Sequence, residues 1–276
     1  MSRNAAGMPA SLALVGAGKM GGAMLEGWLK LGLDPRGVSV LDPHVTGEML
    51  ALCKAHGVAL NPIAAIAAPE VVVLAIKPQM LDAAAPGLQA LFGPQTLLVS
   101  IVAGKTSSDL AARLPPARAI ARAMPNTPAS VGRGITGVFA APGVSAAQKA
   151  MADVLLKAIG QVVWVEDEGL IDAVTAVSGS GPAYVFYLAE CLAKAGVAAG
   201  LPSEVAMQLA RATVEGAGEL MYRAASTPLS QLRVNVTSPG GTTAAALEVL
   251  TGPQGLEPLM MAAVAAAKRR AGELSG

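Results

Sequence analysis

The chain has 276 residues, of which 53% are hydrophobic and only 14% charged, and its net charge is +1. A chain of this length is long enough for two domains or one large one. The near-neutral balance and the 3% of aromatic residues exclude a basic, base-stacking nucleic-acid surface and an attraction to anionic membranes. So much apolar sequence with so few charges predicts that part of the surface is buried between subunits.

Targeting, redox and metal signals are weak throughout the sequence. Residues 1–10 lack the apolar core of a secretory signal, and the longest uncharged stretch, residues 83–104, is interrupted by proline and glycine. The two cysteines, Cys53 and Cys191, lie far apart, and the only histidines are His44 and His56. We therefore expect a cytoplasmic protein with free thiols, no membrane span and no metal site.

The first element is a short apolar strand at residues 11–15, followed by the glycine-rich turn Gly16-Ala-Gly18-Lys-Met-Gly21 and a helix over residues 20–31. A GxGxxG pattern between a strand and a helix is typical of dinucleotide binding. In that pattern Gly16 forms the turn, Gly18 lets a pyrophosphate approach the backbone, and Gly21 allows close helix packing. The alternative is a glycine-rich turn in another kind of α/β protein.

Strands and helices then alternate as far as residue 166. Capping residues at Ser107 and Ser145 open two of the helices. Further strands are predicted at residues 38–41, 71–76, 96–101, 117–124 and 162–165, and further helices at 48–55, from 107, and from 145 to 159. The unbroken apolar run at residues 71–76 predicts a buried parallel strand. Residues 1–166 are thus predicted to form a Rossmann-type, doubly wound α/β domain that binds a dinucleotide.

Residues 167–276 predict helices alone. The expected helices cover residues 182–199, 202–225, 242–250 and 257–274, with a short turn opened by Thr227 or Ser230. Several of these helices are apolar on more than one face and need partners beyond one small bundle. We therefore predict an all-helical dimerisation domain, with a compact monomeric bundle as the alternative.

The loop Val236-Thr-Ser-Pro-Gly-Gly-Thr-Thr243 leads directly into the predicted helix at residues 242–250. Such a loop points several backbone N–H groups at one spot, in front of the positive end of the helix dipole. This geometry suits a small carboxylate held without an arginine. The alternative is a plain helix cap, in which the hydroxyl of Thr242 or Thr243 satisfies the backbone donors.

Five segments together resemble the pyrroline-5-carboxylate reductases over nearly the whole chain. They are the glycine turn at residues 16–22, Ala75-Ile-Lys-Pro-Gln79, Ala123-Met-Pro-Asn-Thr-Pro128, Val177-Ser-Gly-Ser-Gly-Pro-Ala-Tyr184 and the loop from Val236 to Thr243. The resemblance implies reduction of a cyclic imine by NADPH or NADH in the last step of proline biosynthesis. It also implies a Rossmann domain followed by a helical domain that interlocks into homodimers, often assembled into a decamer.

The resemblance also implies where cofactor and substrate bind. The cofactor would contact Val15, Gly16, Ala17, Gly18, Lys19, Met20, Gly21, Asp42, Ala75, Ile76, Lys77, Pro78, Ile101, Val102 and Ala103. The substrate would contact Glu168, Asn235, Val236, Thr237, Ser238, Gly241, Thr242 and Thr243. A protonated imine is already a good electrophile, so neither a strong base nor a metal is required. Thr243 is the candidate catalytic residue, hydrogen bonded to the ring nitrogen, although helix capping alone would also explain it.

Several questions stay open at this level. Asp42 after the second strand favours NADH over NADPH, whereas the neighbouring His44 could reach a 2′-phosphate. Ser226-Thr-Pro228 and Arg233-Val234 depart from the family pattern, which puts the size of the assembly in doubt. Alternatives are a β-hydroxyacid dehydrogenase, for which Lys194 lies late in its helix, another imine reductase, and a non-catalytic nucleotide sensor.

Overall fold

The computed structural model describes residues 7–62 and 67–275. Its eight strands form one sheet in the order β3-β2-β1-β4-β5-β6-β7-β8. The strands are β1 Leu12–Val15, β2 Val38–Leu41, β3 Ala59–Leu60, β4 Val71–Leu74, β5 Leu97–Ser100, β6 Ala119–Met124, β7 Gly134–Ala140 and β8 Gly160–Val165. All neighbouring pairs are parallel except β6 and β7, which run antiparallel.

The helices flank this sheet and then continue without strands. They are α1 Lys19–Lys30, α2 Gly47–His56, α3 Leu81–Leu88, α4 Ser107–Arg113, α5 Ala146–Lys157, α6 Leu170–Val174, α7 Gly181–Ala198, α8 Ser203–Arg223, α9 Leu229–Asn235, α10 Thr242–Leu250 and α11 Leu256–Ser275. A π-helical turn, Thr175–Gly179, joins α6 to α7. The α/β fold class with a following helical domain is thus confirmed.

The central strands have an apolar core on each face of the sheet. Strands β1, β4 and β5 are buried along their whole length. Leu12 and Leu14 belong to one core cluster, and the alternate residues Ala13 and Val15 belong to the other. This alternation explains why these strands read as unbroken apolar runs, because helices cover both faces.

Several local predictions need correction. Strand β4 ends at Leu74, two residues before the predicted end, and β6 begins at Ala119. The N-cap of α4 is Thr106, whose side chain and that of Asp109 form a capping box. Residues 229–235 form the helix α9 rather than a turn, because Pro228 supplies both the helical start and the acceptor for two N–H groups. A helix this short has too little periodicity to be distinguished from a turn.

The described residues divide into two compact units. One contains the residues up to Gly179 and those from Lys268 onward, and the other contains Ser180–Ala267. The division thus falls later than the predicted boundary after residue 166, because α6 packs on the sheet. A methyl group on Gly137 of β7 would lie 2.5 Å from Val174, and Ile171 is buried. The domain bounds 1–166 and 167–276 stay a prediction.

The helical unit has almost no core of its own in a single chain. Its buried apolar side chains, among the described residues, are the small ones of Ala193, Ala206 and Ala210. Large apolar side chains such as Phe186, Leu220 and Met261 are more than 60% exposed. Exposed apolar surface of this extent is typical of a subunit interface.

Candidate active site

The segments predicted to bind the cofactor leave the sheet at one edge. Because these strands pair in parallel, the carboxyl ends of β1, β2, β4 and β5 lie side by side. The N–H of Gly16 donates to the carbonyl of Leu41 (2.8 Å), that of Ala75 to Val15 (2.7 Å) and that of Ile101 to Leu74 (3.0 Å). Strand β1 lies between β2 and β4, where the strand order reverses, and open α/β sheets bind ligands at such points.

The three glycines of the glycine-rich turn serve two different purposes. Gly16 has a φ of +90°, and a Cβ there would lie 2.7 Å from the carbonyl oxygen of Ala75. A Cβ on Gly21 would lie 2.3 Å from the carbonyl oxygen of Gly16. A Cβ on Gly18, in contrast, would meet no atom of the described residues within 4 Å. Gly16 and Gly21 therefore keep the turn tight, and Gly18 leaves a ligand free access to the backbone.

The open side of this turn fits a pyrophosphate. Gly18 is the N-cap of α1 and no side chain caps the helix, so the first N–H groups of α1 have no intrahelical acceptor. They point out of the positive end of the helix dipole. A cavity of about 550 Å³ borders the turn and is lined, among others, by Ala17, Gly18, Lys19, Thr46 and Ser130. The residues present thus fit the phosphates of a dinucleotide.

Asp42 holds the glycine-rich turn in place. Its Oδ2 accepts the N–H of Ala17 and its Oδ1 accepts the N–H of His44, both at 2.7 Å. Asn61, with a φ of +44°, binds the backbone of Asp42 through both its amide oxygen (2.9 Å) and its amide nitrogen (2.7 Å). Sequence reasoning missed Asn61. A contact from Asp42 to a ribose stays a prediction, and the carboxylate also has a structural task.

Glu168 is bound within the first unit. Its Oε1 accepts the N–H of Ser107 and its Oε2 accepts the hydroxyl of Ser107, both at 2.6 Å. The guanidinium of the buried Arg122 lies 3.4 Å from Oε1. Sequence reasoning missed both partners. The available signal was an arginine inside the apolar run Ala-Ile-Ala-Arg-Ala-Met of β6, because a buried charge requires a counter-charge.

Two of the motifs carrying the resemblance contact each other. The side-chain amide of Asn126 donates to the carbonyl of Ser178 (3.1 Å) and its oxygen accepts the N–H of Ile135 (2.9 Å). Asn126 thereby ties the end of β6 to the π-helical turn that precedes α7. Single π-helical turns within helices frequently occur at functional sites. Nothing in the sequence pattern indicated the π-helical turn.

The predicted carboxylate loop ends at α10 as expected, but without a side-chain cap. Gly241 is the N-cap, and the first helical bond runs from Ala245 to Gly241. The N–H groups of Thr242, Thr243 and Ala244 therefore have no intrahelical acceptor. Neither threonine hydroxyl makes a hydrogen bond within the described part of the chain. The capping alternative for these two hydroxyls is wrong.

Part of the predicted substrate set lies in one segment of the chain. Residues 235–238 and 241–243 form one continuous segment of the helical unit, from the end of α9 to the start of α10. Within it, Thr237 donates to the carbonyl of Arg233 (2.7 Å), and Asn235 accepts from Gln231 (2.8 Å). Glu168 belongs to the other unit. Among the described residues no three His, Cys, Asp or Glu side chains form a metal-binding group.

The remaining reactive groups lie elsewhere. Cys53 is buried and Cys191 exposed, and both are free thiols as predicted. Burial raises the pKa of the Cys53 thiol. The ammonium of Lys194 lies 5.9 Å from the ring centre of Tyr187 on the same helix. In the part of the chain that is described, no helix has the length and apolarity needed to span a membrane.

Comparisons with known proteins agree with this arrangement. Residues 168–274 match a family model for pyrroline-5-carboxylate reductase dimerisation, and residues 11–104 match one described as NADP oxidoreductase coenzyme F420-dependent. The pyrroline-5-carboxylate reductase of Synechocystis is 42% identical over 97% of this chain and 99% of its own.

Two solved structures extend the similarity to three dimensions. A pyrroline-5-carboxylate reductase from Coxiella burnetii superposes with a TM-score of 0.88 at 35% identity, covering 97% of this chain and 99% of that one. The Plasmodium falciparum pyrroline carboxylate reductase, solved with NADP bound, gives a TM-score of 0.75 at 27% identity over 98% and 100% of the two chains. The chain belongs to the pyrroline-5-carboxylate reductase family of NAD(P)H-dependent oxidoreductases.

Proposed function

We propose that the protein reduces the C=N bond of 1-pyrroline-5-carboxylate and forms L-proline. The observation that carries the proposal is the presence of two sites in one chain. One is an open glycine turn at the carboxyl edge of the sheet. The other is an uncapped α10 whose N–H groups and threonine hydroxyls have no partner within the described residues. Family membership supplies the substrate.

The cofactor site is the edge of the sheet described above. The backbone of residues 16–21 and the N-terminus of α1 bind the phosphates, while residues 75–78 and 101–103 border the rest of the molecule. NADPH or NADH supplies the hydride when bound there. Asp42 holds the turn through Ala17, so the shape of the phosphate site depends on this carboxylate.

The substrate carboxylate binds at the start of α10. The N–H groups of Thr242, Thr243 and Ala244 are directed to one point, and the helix dipole adds positive potential there. Gly240 has a φ of +67°, which allows the tight turn that presents these groups. Holding the ring by its carboxylate fixes its orientation, which lowers the entropic cost of reaching the transition state.

Thr243 is the group that contacts the ring nitrogen. Its hydroxyl is free to donate to that nitrogen or to orient the proton already on it, since no capping bond occupies it. The protonated imine accepts the hydride at carbon without help from a metal or a strong base. A hydroxyl is therefore sufficient at this position.

The structure gives little support to the other reaction classes. A β-hydroxyacid dehydrogenase requires a lysine at the reacting carbon, whereas Lys194 lies late in α7 beside Tyr187. A reductase of decarboxylated imines has no need of the uncapped α10. A nucleotide sensor would leave the free Thr243 hydroxyl without a task.

The finer properties follow from the same features. We assign the apolar faces of the helical unit to a homodimer, with a decamer as the larger assembly, and the reaction to the cytoplasm. Both cofactors remain candidates. Asp42 disfavours a 2′-phosphate through its charge, yet each of its oxygens already accepts a backbone N–H. His44 is exposed beside it.

The experiment is turnover with purified protein and pyrroline-5-carboxylate, using NADH and NADPH separately and quantifying proline. Thr243→Val, which loses the hydroxyl but keeps the shape, is compared with Thr243→Ser, which keeps the hydroxyl. We expect kcat to fall roughly 100-fold or more in the first variant and much less in the second. Two results would overturn the assignment. One is clear binding of the cofactor with no oxidation of NADH or NADPH by pyrroline-5-carboxylate, and the other is turnover of a β-hydroxyacid instead.

A further inference from the structure

A buried ion cluster lies next to the cofactor edge of the sheet. The Arg122 side chain is only 5% exposed, and its Nη1 lies 3.4 Å from Oε1 of Glu168. Its Nη2 lies 3.8 Å from Oδ1 of Asp172 and 3.5 Å from the hydroxyl of Ser275. A buried cation is stable only with its counter-charges in place. Arg122 therefore fixes two carboxylates and the end of α11 relative to β6.

Glu168 transmits this support to the loop that follows β5. Both its oxygens bind Ser107, one through the backbone N–H and the other through the hydroxyl, at 2.6 Å each. Ser107 is the first residue of α4 and ends the loop 101–107. With two short hydrogen bonds to Ser107 and the 3.4 Å contact with Arg122, the carboxylate of Glu168 is engaged in supporting this loop.

The last turn of α11 supports the same loop at its middle. Gly104 has a φ of +66°, and a Cβ there would lie 2.9 Å from the carbonyl oxygen of Leu274. The neighbouring Ser275 hydroxyl donates to the carbonyl of Ala271 (3.0 Å) and lies 3.4 Å from Asp172. The C-terminal turn and the ion cluster thus hold one loop at two points.

We propose that Arg122 is a positioning residue for the cofactor, acting through Glu168 on the loop 101–107. Val102 is buried and anchors the start of this loop, while Ala103 is exposed at the carboxyl edge. The inference rests on the proposed function, because residues 101–103 border the cofactor there. It assigns Glu168 to the cofactor side of the site instead of to the substrate carboxylate.

The test compares Arg122→Met with Arg122→Lys in the full-length protein. Three quantities are measured: the dissociation constants of NADH and NADPH by calorimetry, the rate of amide hydrogen exchange in residues 101–107, and the KM of each substrate. Two controls separate positioning from general damage. Arg118→Met removes an exposed charge four residues away, and Leu156→Ala opens a cavity in the core under α5.

We expect Arg122→Met to weaken cofactor binding roughly tenfold or more and to speed exchange in the loop, with the KM for pyrroline-5-carboxylate changed less. Arg122→Lys keeps the charge without the forked geometry and should give an intermediate dissociation constant. At temperatures where the control variants are folded, neither should differ from the unsubstituted protein in cofactor affinity. If Arg122→Met does not fold, Ser107→Ala removes one of the Glu168 contacts and should weaken binding in the same direction.

Unchanged cofactor affinity in a folded Arg122→Met protein, or a rise confined to the KM of the imine, would overturn the inference. A matching loss of affinity in Leu156→Ala would overturn it too, since the effect would then follow stability alone. These results leave the proposed function intact when the unsubstituted protein turns over. Failure of the unsubstituted protein to bind either cofactor would overturn both.

Discussion

Substituting alanine at Gly18 should separate cofactor binding from stability. The backbone there, at φ −66° and ψ −166°, is accessible to alanine, and the added methyl meets no atom within 4 Å in the part of the chain that the structure describes. Losing glycine as N-cap costs up to about 1 kcal/mol. Alanine also restricts the conformations of the unfolded chain, which stabilises the folded protein by about 0.4–1 kcal/mol. The free energy of unfolding should therefore change by less than about 1 kcal/mol.

The same methyl group lies on the side of the turn that a pyrophosphate approaches. Moving the phosphate off the N–H groups of α1 should weaken NADH binding at least about tenfold, equivalent to about 1.4 kcal/mol. Gly21→Ala provides the contrast, because its methyl would lie 2.3 Å from the carbonyl oxygen of Gly16. Helix α1 must then move, at a cost of about 1–3 kcal/mol, so stability and binding should fall together.

The assay pairs denaturant unfolding with calorimetric titration of NADH and NADPH, at one protein concentration because assembly contributes to stability. Gly87→Ala in α3 is the matched control, since its methyl also meets no described atom within 4 Å. It should stabilise the protein by about 0.5–1 kcal/mol and leave binding unchanged. Normal cofactor affinity in Gly18→Ala, or a loss of stability as large as in Gly21→Ala, would refute this reading of the turn.

Two further predictions concern the assembly and the pH dependence. Phe186 is 65% exposed on α7, so Phe186→Glu should reduce the mass measured by light scattering, whereas Leu50→Glu on α2, where the side chain is 55% exposed, should not. An unchanged mass in Phe186→Glu would contradict the interface assignment. The pKa of the Asp109 carboxyl is lowered: burial alone would raise it, but hydrogen bonds from Thr106 and the charges of Lys105 and Arg113 outweigh burial. This carboxylate therefore stabilises the fold above its unfolded pKa, and the contribution disappears as the pH falls through its lower folded value. Asp109→Asn should cost about 1 kcal/mol at pH 7 and progressively less as the pH falls below the unfolded pKa, in unfolding measured across that range. A cost that does not change with pH would contradict this prediction.

The fold was predictable where one local signal dominates. The apolar runs of β1, β2 and β4 placed three adjacent strands, and Ser145 with Gln148 correctly marked the start of α5 by a capping box. The direction of β7 had no comparable signal, because parallel and antiparallel strands can share the same pattern. The two-residue β3 is too short to carry a pattern.

The site was predictable only where it depends on the backbone. Glycine turns and helix starts leave a sequence pattern, and the resemblance added the residues around them. Arg122 and Asn126 act through contacts with residues 46 and 52 positions away, so no local pattern reveals their partners. Their roles are evident only from the three-dimensional structure, in which β6 lies beside Glu168 and the π-helical turn.

The most direct test of the account compares kcat/KM for pyrroline-5-carboxylate with that for 1-pyrroline, the same ring without the carboxylate. If the start of α10 holds the substrate by this group, 1-pyrroline should be reduced at least about a hundredfold less efficiently. The difference should shrink when Gly241→Pro disturbs the N-cap. Equal efficiency on the two imines would contradict the carboxylate site and, with it, the assignment of the substrate.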